Sequence, residues 1–273
     1  MKDTRICAIV PTYNDLRRAL RCVTTLICAD EGLASVLIEW FVQDDSEQPE
    51  LVGLPLLENI GVHYAANETR LGFAENCNTA VNRALNAFPD TDILLILNQD
   101  IYAHPERTQQ WVFNLIDAFV RYPESQVIGG LLLFPDNRVQ HAGIIFDALR
   151  QPTHRYLGYN NADWPKIMTP TPIPAVTGAA IAVRAQAWIE QGGFDHRTYP
   201  FGYFEDIDFC CGIRHTYGDA AVMYVPSVCF YHEGGTTGGN PNFAKNAEAF
   251  RERWAGSVQT RPSINAIVEK FWN

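Results

Sequence analysis

The stretch ILLILNQD at residues 93–100 decides the fold class of this chain. Its five consecutive apolar residues, without polar alternation, are typical of a strand that is buried on both faces of a parallel sheet. A second such run, ICAIV at residues 6–10, is followed directly by the polar stretch PTYND. In open α/β sheets, ligands bind at the carboxyl ends of strands. The two runs therefore predict central strands with a ligand site at their ends.

Strand-like and helical segments alternate around these two runs. Helical patterns at residues 15–29 and 73–88 separate apolar runs at residues 5–10, 36–42 and 92–97. This alternation predicts an α/β fold with a parallel sheet and crossover helices.

The second half of the chain has a weaker pattern. We expect a helix over residues 105–121, and the segment from there to about residue 172 is rich in turns and gives no readable pattern. Readable patterns resume with an apolar run at residues 176–184. A short helix is expected at residues 185–191, where two glycines end it, and a further helix is expected to start near residue 205. We expect one compact domain of two intergrown halves.

Composition and charge exclude several classes of protein. The 273 residues are 47% hydrophobic and 19% charged, which excludes disordered, collagen-like and coiled-coil chains. With 21 bases against 31 acids the formal charge is −10, so no global positive field attracts nucleic acid, and we expect no nucleic-acid partner. An anionic ligand must therefore meet a local site.

The cysteines and the apolar runs indicate the compartment. Seven cysteines without a CxxC pair predict reduced, buried thiols. The apolar run at residues 6–10 is too short for a signal peptide, and the longest runs, 93–97 and 127–134, fall far below the ~20 residues of a membrane span. We expect a cytoplasmic protein, either free or bound at the inner face of the cytoplasmic membrane.

Acidic residues follow two of the expected strands. Asp44 and Asp45 come after the run at residues 36–42, where a solvated turn explains them about as well as a binding role. Asp100 offers the carboxylate oxygen that hard divalent cations prefer, although aspartates at strand ends also cap helices.

Three acids stand within four residues at the start of an expected helix, namely Glu205, Asp206 and Asp208. Favourable interaction with the helix dipole explains one or two of them. Because three such charges repel one another, a functional role is plausible, with one acid acting as a base and another holding a hydroxyl.

His232 lies in the segment YHEGGTT at residues 231–237. A single histidine is more often a structural side chain than a ligand. The glycines beside it, however, suit a loop that approaches phosphates with backbone N–H groups. His232 is therefore a candidate for a metal–diphosphate site.

Taken together, these motifs resemble the metal-dependent inverting glycosyltransferases of the GT-A fold, within the large family-two group that has rhamnosyltransferase-like members. The matching pieces occur in the family's order between about residues 5 and 237. They are IVPTYN (9–14), QDDS (43–46), LGFA (71–74) with Asn78, LNQD (97–100), TGA (177–179), GGFD (192–195), EDID (205–208) and His232.

The resemblance implies a Rossmann-like nucleotide-binding sheet merged with an acceptor-binding half. Residues 1–240 would form the glycosyltransferase domain, with a nucleotide-sugar-binding half at 1–104 and an acceptor and catalytic half at 105–240. Residues 241–273 would form a C-terminal helical extension, with an amphipathic surface helix over 242–254.

The resemblance also implies roles for single residues. Asp206 would be the catalytic base with Glu205 beside it to orient the acceptor, and Asp100 and His232 would bind magnesium or manganese. The nucleotide would be bound by Pro11, Thr12, Tyr13, Asn14, Asp44 or Asp45, Arg70, Gly72, Asn78, Asn98 and Gln99. The donor sugar or the acceptor would contact Thr177, Gly178, Ala179, Asp208 and Trp164.

The implied reaction is a single displacement with inversion at the anomeric carbon. The donor would be a nucleoside-diphosphate sugar, dTDP- or UDP-linked, with rhamnose as the leading sugar, while a glycan, a lipid-linked acceptor and a protein acceptor all stay open. Peripheral membrane association is compatible with this reaction.

Two alternatives stand beside this interpretation. Asn98 replaces the first aspartate of the family's DxD motif, and Gly212 stands where an arginine is usual after the ED pair. Both changes favour an idle nucleotide-sugar-binding scaffold of the same fold. A sugar-phosphate nucleotidyltransferase is the other alternative, but residues 11–14 lack its glycine-rich, basic loop.

Overall fold

A computed structural model describes residues 4–30, 36–49, 52–147, 151–234 and 241–260. Within these residues the strands are β1 (Arg5–Thr12), β2 (Leu37–Asp44), β3 (His63–Ala66), β4 (Ile93–Leu97), β5 (Ile101–Tyr102), β6 (Val127–Leu133), β7 (Val139–His141), β8 (Ile144–Phe146), β9 (Pro152–His154), β10 (Thr171–Pro172), β11 (Ala180–Arg184) and β12 (Val222–His232). The helices are α1 (Leu16–Ala29), α2 (Leu54–Asn59), α3 (Phe73–Ala87), α4 (Trp111–Arg121), α5 (Ala185–Gln191), α6 (Glu205–Tyr217) and α7 (Phe243–Thr260).

One large sheet runs through the molecule in the order β10-β12-β6-β11-β4-β1-β2-β3, with β5 added to β12 and β7 added to β6. The strands from β3 to β4 are mutually parallel, as the alternating pattern predicts. β11 then lies antiparallel between β4 and β6, which makes the second half of the sheet mixed. A separate pair, β8 and β9, lies outside this sheet.

Both faces of the sheet are covered, which explains the unbroken apolar runs. Cys7 and Ile9 of β1 belong to the core that includes the apolar side of α3. Ile6, Ala8 and Val10 point the other way, into the core that includes α1. A strand that is buried on both faces has no position for a polar side chain until it ends. The polar residues that follow the apolar run of β1 therefore lie at its carboxyl end.

The helix expected over residues 105–121 begins later, at Trp111. The Thr108 hydroxyl accepts a hydrogen bond from the His104 amide (2.7 Å) and donates one to the Cys229 carbonyl (3.0 Å). These bonds hold the preceding residues in turns against β12, so the helix cannot extend toward its expected start.

The strand expected over residues 176–184 is also shorter and begins at Ala180, because residues 177–179 form a turn at the sheet edge. The turn-rich segment before it contains β7 to β10, each of two or three residues. Strands this short leave no periodic pattern, and neither these strands nor α2 and β3 were predicted.

Two glycines permit close packing in the second half. A Cβ at Gly212 of α6 would lie 2.2 Å from the Gln191 side chain at the end of α5, so the glycine lets the two helices approach. A Cβ at Gly130 of β6 would lie 2.2 Å from the Val228 carbonyl oxygen, where the pairing of β6 with β12 is irregular. The close contact between α5 and α6 therefore gives Gly212 a structural role.

The helix expected at residues 242–254 is present as α7, which begins at Phe243. Its Asn246 and Phe250 are buried, and Phe250 belongs to the core on one face of the sheet. All seven cysteines are free thiols; five are buried as expected, whereas Cys28 is exposed and Cys211 is half-buried. Across the described residues, no helix combines the length and apolar character needed to span a membrane.

Candidate active site

A cavity of about 770 Å³ opens at the carboxyl ends of β1 and β4. It brings together most of the site residues predicted from the sequence. They are Pro11, Thr12, Tyr13, Asp45, Arg70, Gly72, Asn98, Gln99, Asp100, Thr177, Gly178, Ala179, Glu205, Asp206 and His232.

The buried side chain of Gln99 joins the ends of β4 and β1. Its Oε1 accepts hydrogen bonds from the Thr12 hydroxyl (2.5 Å) and the Tyr13 amide (2.8 Å). Asn14 follows with a left-handed φ of 55°, and its amide donates to the Ser46 hydroxyl (2.7 Å). The turn is thereby held rigid, and the exposed Asn14 lies outside the cavity lining.

Asp45 organises the opposite edge of this turn. Its carboxylate accepts hydrogen bonds from the amides of Leu71 (2.7 Å) and Gly72 (2.8 Å) and from the Asn67 side chain (2.8 Å). Gly72 has a φ of +87°, and a Cβ there would lie 2.6 Å from Phe201 Cα, so only glycine fits. Asp44 lies outside the cavity lining and accepts a hydrogen bond from the Tyr64 hydroxyl (2.9 Å).

Arg70 provides a cation at the cavity wall. Its guanidinium lies 4.2 Å from the centre of the Tyr13 ring and 5.3 Å from that of Phe201. Stacking between two rings orients the planar group while leaving its N–H donors at the edge. This arrangement suits an anionic ligand.

Asp100 and His232, the two predicted metal ligands, are adjacent. His232 Nε2 lies 3.2 Å from an Asp100 carboxylate oxygen, and the other oxygen accepts a hydrogen bond from the Gly234 amide (3.0 Å). Burial raises the pKa of Asp100, but the hydrogen bond and charge of His232 together with the backbone N–H of Gly234 outweigh it, and the pKa falls below its ordinary value. In the part of the chain that the structure describes, no cluster of three histidine, cysteine or acidic side chains forms a complete metal site.

Glu205 and Asp206 begin α6 at the cavity wall. Asp206 accepts hydrogen bonds from the amides of Gly178 (2.7 Å) and Ile207 (2.8 Å), while one buried carboxylate oxygen of Glu205 has no hydrogen-bond partner among the described residues. Burial and the neighbouring charge of Asp206 raise the pKa of Glu205 well above its ordinary value. Burial also raises the pKa of Asp206, partly offset by the Gly178 N–H.

Replacing Glu205 by glutamine is expected to stabilise the fold at about pH 7.5 by about 0.5–2 kcal/mol. The pKa of Glu205 is higher in the folded state than in the unfolded chain, where it is about 4.3. The contribution of Glu205 to stability is therefore fully present below a pH of about 4.3 and is lost as pH rises through the folded-state pKa, because the unfolded chain ionises first. Glutamine is neutral at every pH. Urea unfolding should show the gain at about pH 7.5 and little gain at about pH 4, with exposed Glu248→Gln as the control. Equal stability of variant and wild type at the higher pH contradicts the prediction.

Three further predicted site residues lie outside the cavity lining. Asn78 is engaged by the Phe194 backbone, accepting from its amide (3.0 Å) and donating to its carbonyl (2.8 Å). The Trp164 ring packs against Tyr156 and Tyr159, with centres 5.5 and 5.4 Å apart.

Asp208 is the third of these residues. It points away from the cavity because α6 turns it toward α7, where it accepts hydrogen bonds from Arg253 (2.8 Å), Trp254 (2.7 Å) and the Tyr199 hydroxyl (2.9 Å). The third acid of the cluster thus holds α7 against α6.

Comparison with known proteins identifies the chain. The family model described as glycosyl transferase family 2 matches residues 7–183, about two thirds of the chain. This chain is a family 2 glycosyltransferase. The match contains Asp45, Asp100 and the turn at residues 177–179, whereas the ED pair of this family 2 chain lies beyond it.

Relatives and solved structures agree with this assignment. An N-acetylglucosaminyl-diphospho-decaprenol L-rhamnosyltransferase of Mycobacterium tuberculosis is 27% identical over 254 residues, covering 85% of this chain and 78% of the relative. The O-antigen biosynthesis protein RfbC of Myxococcus xanthus is 24% identical, covering 67% of this chain and 14% of its own length. The expected resemblance to rhamnosyltransferase-like family 2 proteins is confirmed.

The fold is also that of known glycosyltransferases. GalNAc-T7, solved with UDP, GalNAc and Mn²⁺, superposes with a TM-score of 0.68 at 17% identity, and the match covers 98% of this chain but 54% of that one. Residues 1–349 of S. aureus TarS give a TM-score of 0.53 at 16% identity, covering 94% and 74% of the two chains. The predicted GT-A fold in a single compact domain is confirmed.

Several cavity residues of this family 2 enzyme were not predicted from the sequence. Gln140 hydrogen-bonds His232, and Thr153 and His154 reach the cavity from β9. His154 Nδ1 lies 2.9 Å from Nδ1 of the buried His141, and burial lowers the pKa of both imidazoles. Gln140, His141, Thr153 and His154 all belong to the turn-rich segment, where no sequence motif indicated a role.

Proposed function

We propose that this enzyme transfers a sugar from a dTDP- or UDP-linked donor, with rhamnose as the leading candidate, to a hydroxyl of a lipid-linked glycan. The observation that carries the proposal is the placement of the carboxylate of Asp206 and the Asp100–His232 pair on the wall of one cavity. Asp206 would then act on the attacking hydroxyl of the acceptor, while Asp100 and His232 would bind a cation at the diphosphate of the donor. The rhamnosyltransferase relative supports the sugar.

The nucleotide is assigned to the edge formed by β1 and β2. The rigid turn at Thr12 and Tyr13 and the buried Asp45 offer hydrogen-bonding groups there, as nucleobase and ribose recognition requires. Arg70 stands at the same wall and attracts the negative diphosphate.

The residues around Asp100 fit a divalent cation. Asp100 offers a carboxylate and His232 an imidazole, and the Asn98 Oδ1 is buried without a partner among the described residues. Oxygen and nitrogen donors of this kind suit Mn²⁺ or Mg²⁺, and GalNAc-T7 was solved with Mn²⁺. When bound, the cation neutralises the charge that develops on the departing diphosphate.

Asp206 is the proposed base. Two backbone N–H groups, of Gly178 and Ile207, fix the direction of its carboxylate at the cavity wall. Because Asp206 accepts two backbone N–H bonds while one Glu205 oxygen accepts none among the described residues, we assign the negative charge of the pair to Asp206. Asp206 then accepts the proton as the acceptor hydroxyl attacks the anomeric carbon from the face opposite the nucleotide, which inverts the configuration.

The rim of the cavity supports an acceptor with an apolar part. Four large apolar side chains that line the cavity stay 43–57% exposed, namely Leu157, Phe201, Tyr203 and Phe243. A lipid carrier that reaches this rim covers these apolar side chains. The relative from Mycobacterium tuberculosis acts on such a lipid-linked acceptor by its name.

A thermal-shift screen of UDP, dTDP and GDP, each with and without Mn²⁺, tests the donor site. Either UDP or dTDP is expected to raise the melting temperature of the protein, and only when Mn²⁺ is present, since a ligand that binds the folded state stabilises it by mass action. His232→Ala should weaken the metal-dependent binding by about 10-fold or more, as loss of a metal ligand or its support does.

His63→Ala is the matched control, because His63 is exposed and lies on β3. A shift that is unchanged in His232→Ala contradicts the metal assignment. No shift with any nucleotide contradicts the donor site as a whole, and donor binding without any turnover favours the idle scaffold.

A further inference from the structure

The four residues that precede the acidic pair have an unusual backbone. Phe201, Gly202, Tyr203 and Phe204 all adopt positive φ values, of 62°, 100°, 68° and 77°. Only one of them is glycine, and side-chain-bearing residues adopt this region at a cost that the surrounding structure has to offset. We call residues 201–204 the left-handed segment.

One buried side chain of α7 holds the left-handed segment. Asn246 is 0% exposed, and its Nδ2 faces three backbone carbonyl oxygens, of Pro200 (3.3 Å), Gly202 (2.8 Å) and Tyr203 (3.4 Å). Three carbonyls that converge on one point repel each other unless a donor lies between them. The amide nitrogen supplies that donor.

The left-handed segment connects the nucleotide side of the cavity to the acids. Phe201 forms a backbone bridge with Gly72, which Asp45 holds. At the other end, the Phe204 carbonyl accepts the hydrogen bond of the Asp208 amide (2.8 Å) in the first turn of α6. A change in the segment therefore reorients the start of α6, where Glu205 and Asp206 lie.

We infer that Asn246 is a positioning residue, which sets the left-handed segment and through it the direction of the Glu205 and Asp206 carboxylates. The inference rests on the proposed role of Asp206. Asn246 lies on α7, about 40 residues after the acids in the sequence, and is not among the residues that line the cavity. Its effect should fall on turnover and leave nucleotide binding intact.

Two variants test the inference, Asn246→Ala and the near-isosteric Asn246→Asp, which replaces the donor with an acceptor. Exposed Glu248→Ala on the same helix is the control. Hydrogen exchange measured by mass spectrometry should accelerate by about 10-fold or more in peptides that contain the Gly202 and Asp208 amides, and not in those from β1 and β4. Turnover is followed as release of nucleoside diphosphate from the UDP- or dTDP-sugar that most stabilises the wild type, with water or an added lipid-linked glycan as the acceptor of the sugar.

Turnover is expected to fall by about 10-fold or more in both variants, with the affinity for the nucleoside diphosphate changed by about twofold at most. Unchanged exchange at residues 201–208 overturns the inference. Exchange that accelerates evenly over the whole chain, in both variants, also overturns it, since Asn246 would then serve global stability alone.

The exchange measurement does not depend on turnover. A wild type that releases no nucleoside diphosphate refutes the proposed function, while localised exchange in the variants still reports on Asn246. Normal turnover in variants with localised exchange overturns the positioning role and leaves the proposed function standing.

Discussion

Replacing Asp206 by asparagine is expected to lower the rate of glycosyl transfer by about 10²–10⁴-fold, the usual contribution of a positioned general base. Asparagine has the same shape, and its single carbonyl oxygen keeps the hydrogen bond from one of the two backbone amides, of Gly178 or Ile207. It cannot accept the acceptor proton. The rate is measured as release of nucleoside diphosphate, and the binding of UDP or dTDP should change by about twofold at most.

Asp208→Asn is the matched comparison, because Asp208 lies two residues further along α6 but outside the cavity lining. It loses part of its bonding to Arg253, so the expected effect is on stability and not on the chemical step. Near-normal turnover of Asp206→Asn refutes the assigned base. Loss of turnover in Asp208→Asn together with normal turnover in Asp206→Asn contradicts the assignment of the base to Asp206.

The largest expected loss of stability comes from Gly130→Ala in β6. The added Cβ meets the Val228 carbonyl oxygen at 2.2 Å, and a backbone atom cannot rotate away. Relief requires the paired strands β6 and β12 to separate. Overpacking of this kind costs about 3 kcal/mol, and for a chain of this size the melting temperature should fall by roughly 6–12 °C.

Gly61→Ala is a suitable control for the change of residue itself. A Cβ at Gly61 has open space around it, and its left-handed φ of +79° leaves only the backbone penalty, about 1 kcal/mol. Urea unfolding of both variants separates the two effects. Equal destabilisation shows that β6 and β12 accommodate the methyl group.

The parts predicted from the sequence are those in which a local pattern has one physical meaning. The apolar runs of β1 and β4 have no polar alternation because both faces of the sheet are covered. The polar residues that follow them, such as Asp100, then lie at the sheet edge by chain geometry alone. Fold class and much of the cavity follow from this arrangement.

The remaining parts depend on contacts between residues that are distant in sequence. Asp208 follows Asp206 by two residues in the sequence, yet helix geometry turns it toward α7. The left-handed backbone of residues 201–204 is stabilised by Asn246, some 40 residues later, and no motif records that pairing. His154 reaches the cavity on a three-residue strand, which is too short to show a period.

The position of β4 has a consequence for synthesis of the protein. β4 pairs with β1 on one side and with β11 on the other, and β11 begins about 80 residues after β4 ends. At a ribosomal rate of ~5–20 residues per second, β11 is synthesised roughly 4–16 s after β4, and until then the side of β4 that pairs with β11 is unpaired. An unpaired apolar edge is a template for association with other chains. During that interval the unpaired edge of β4 makes the nascent chain prone to association with other chains.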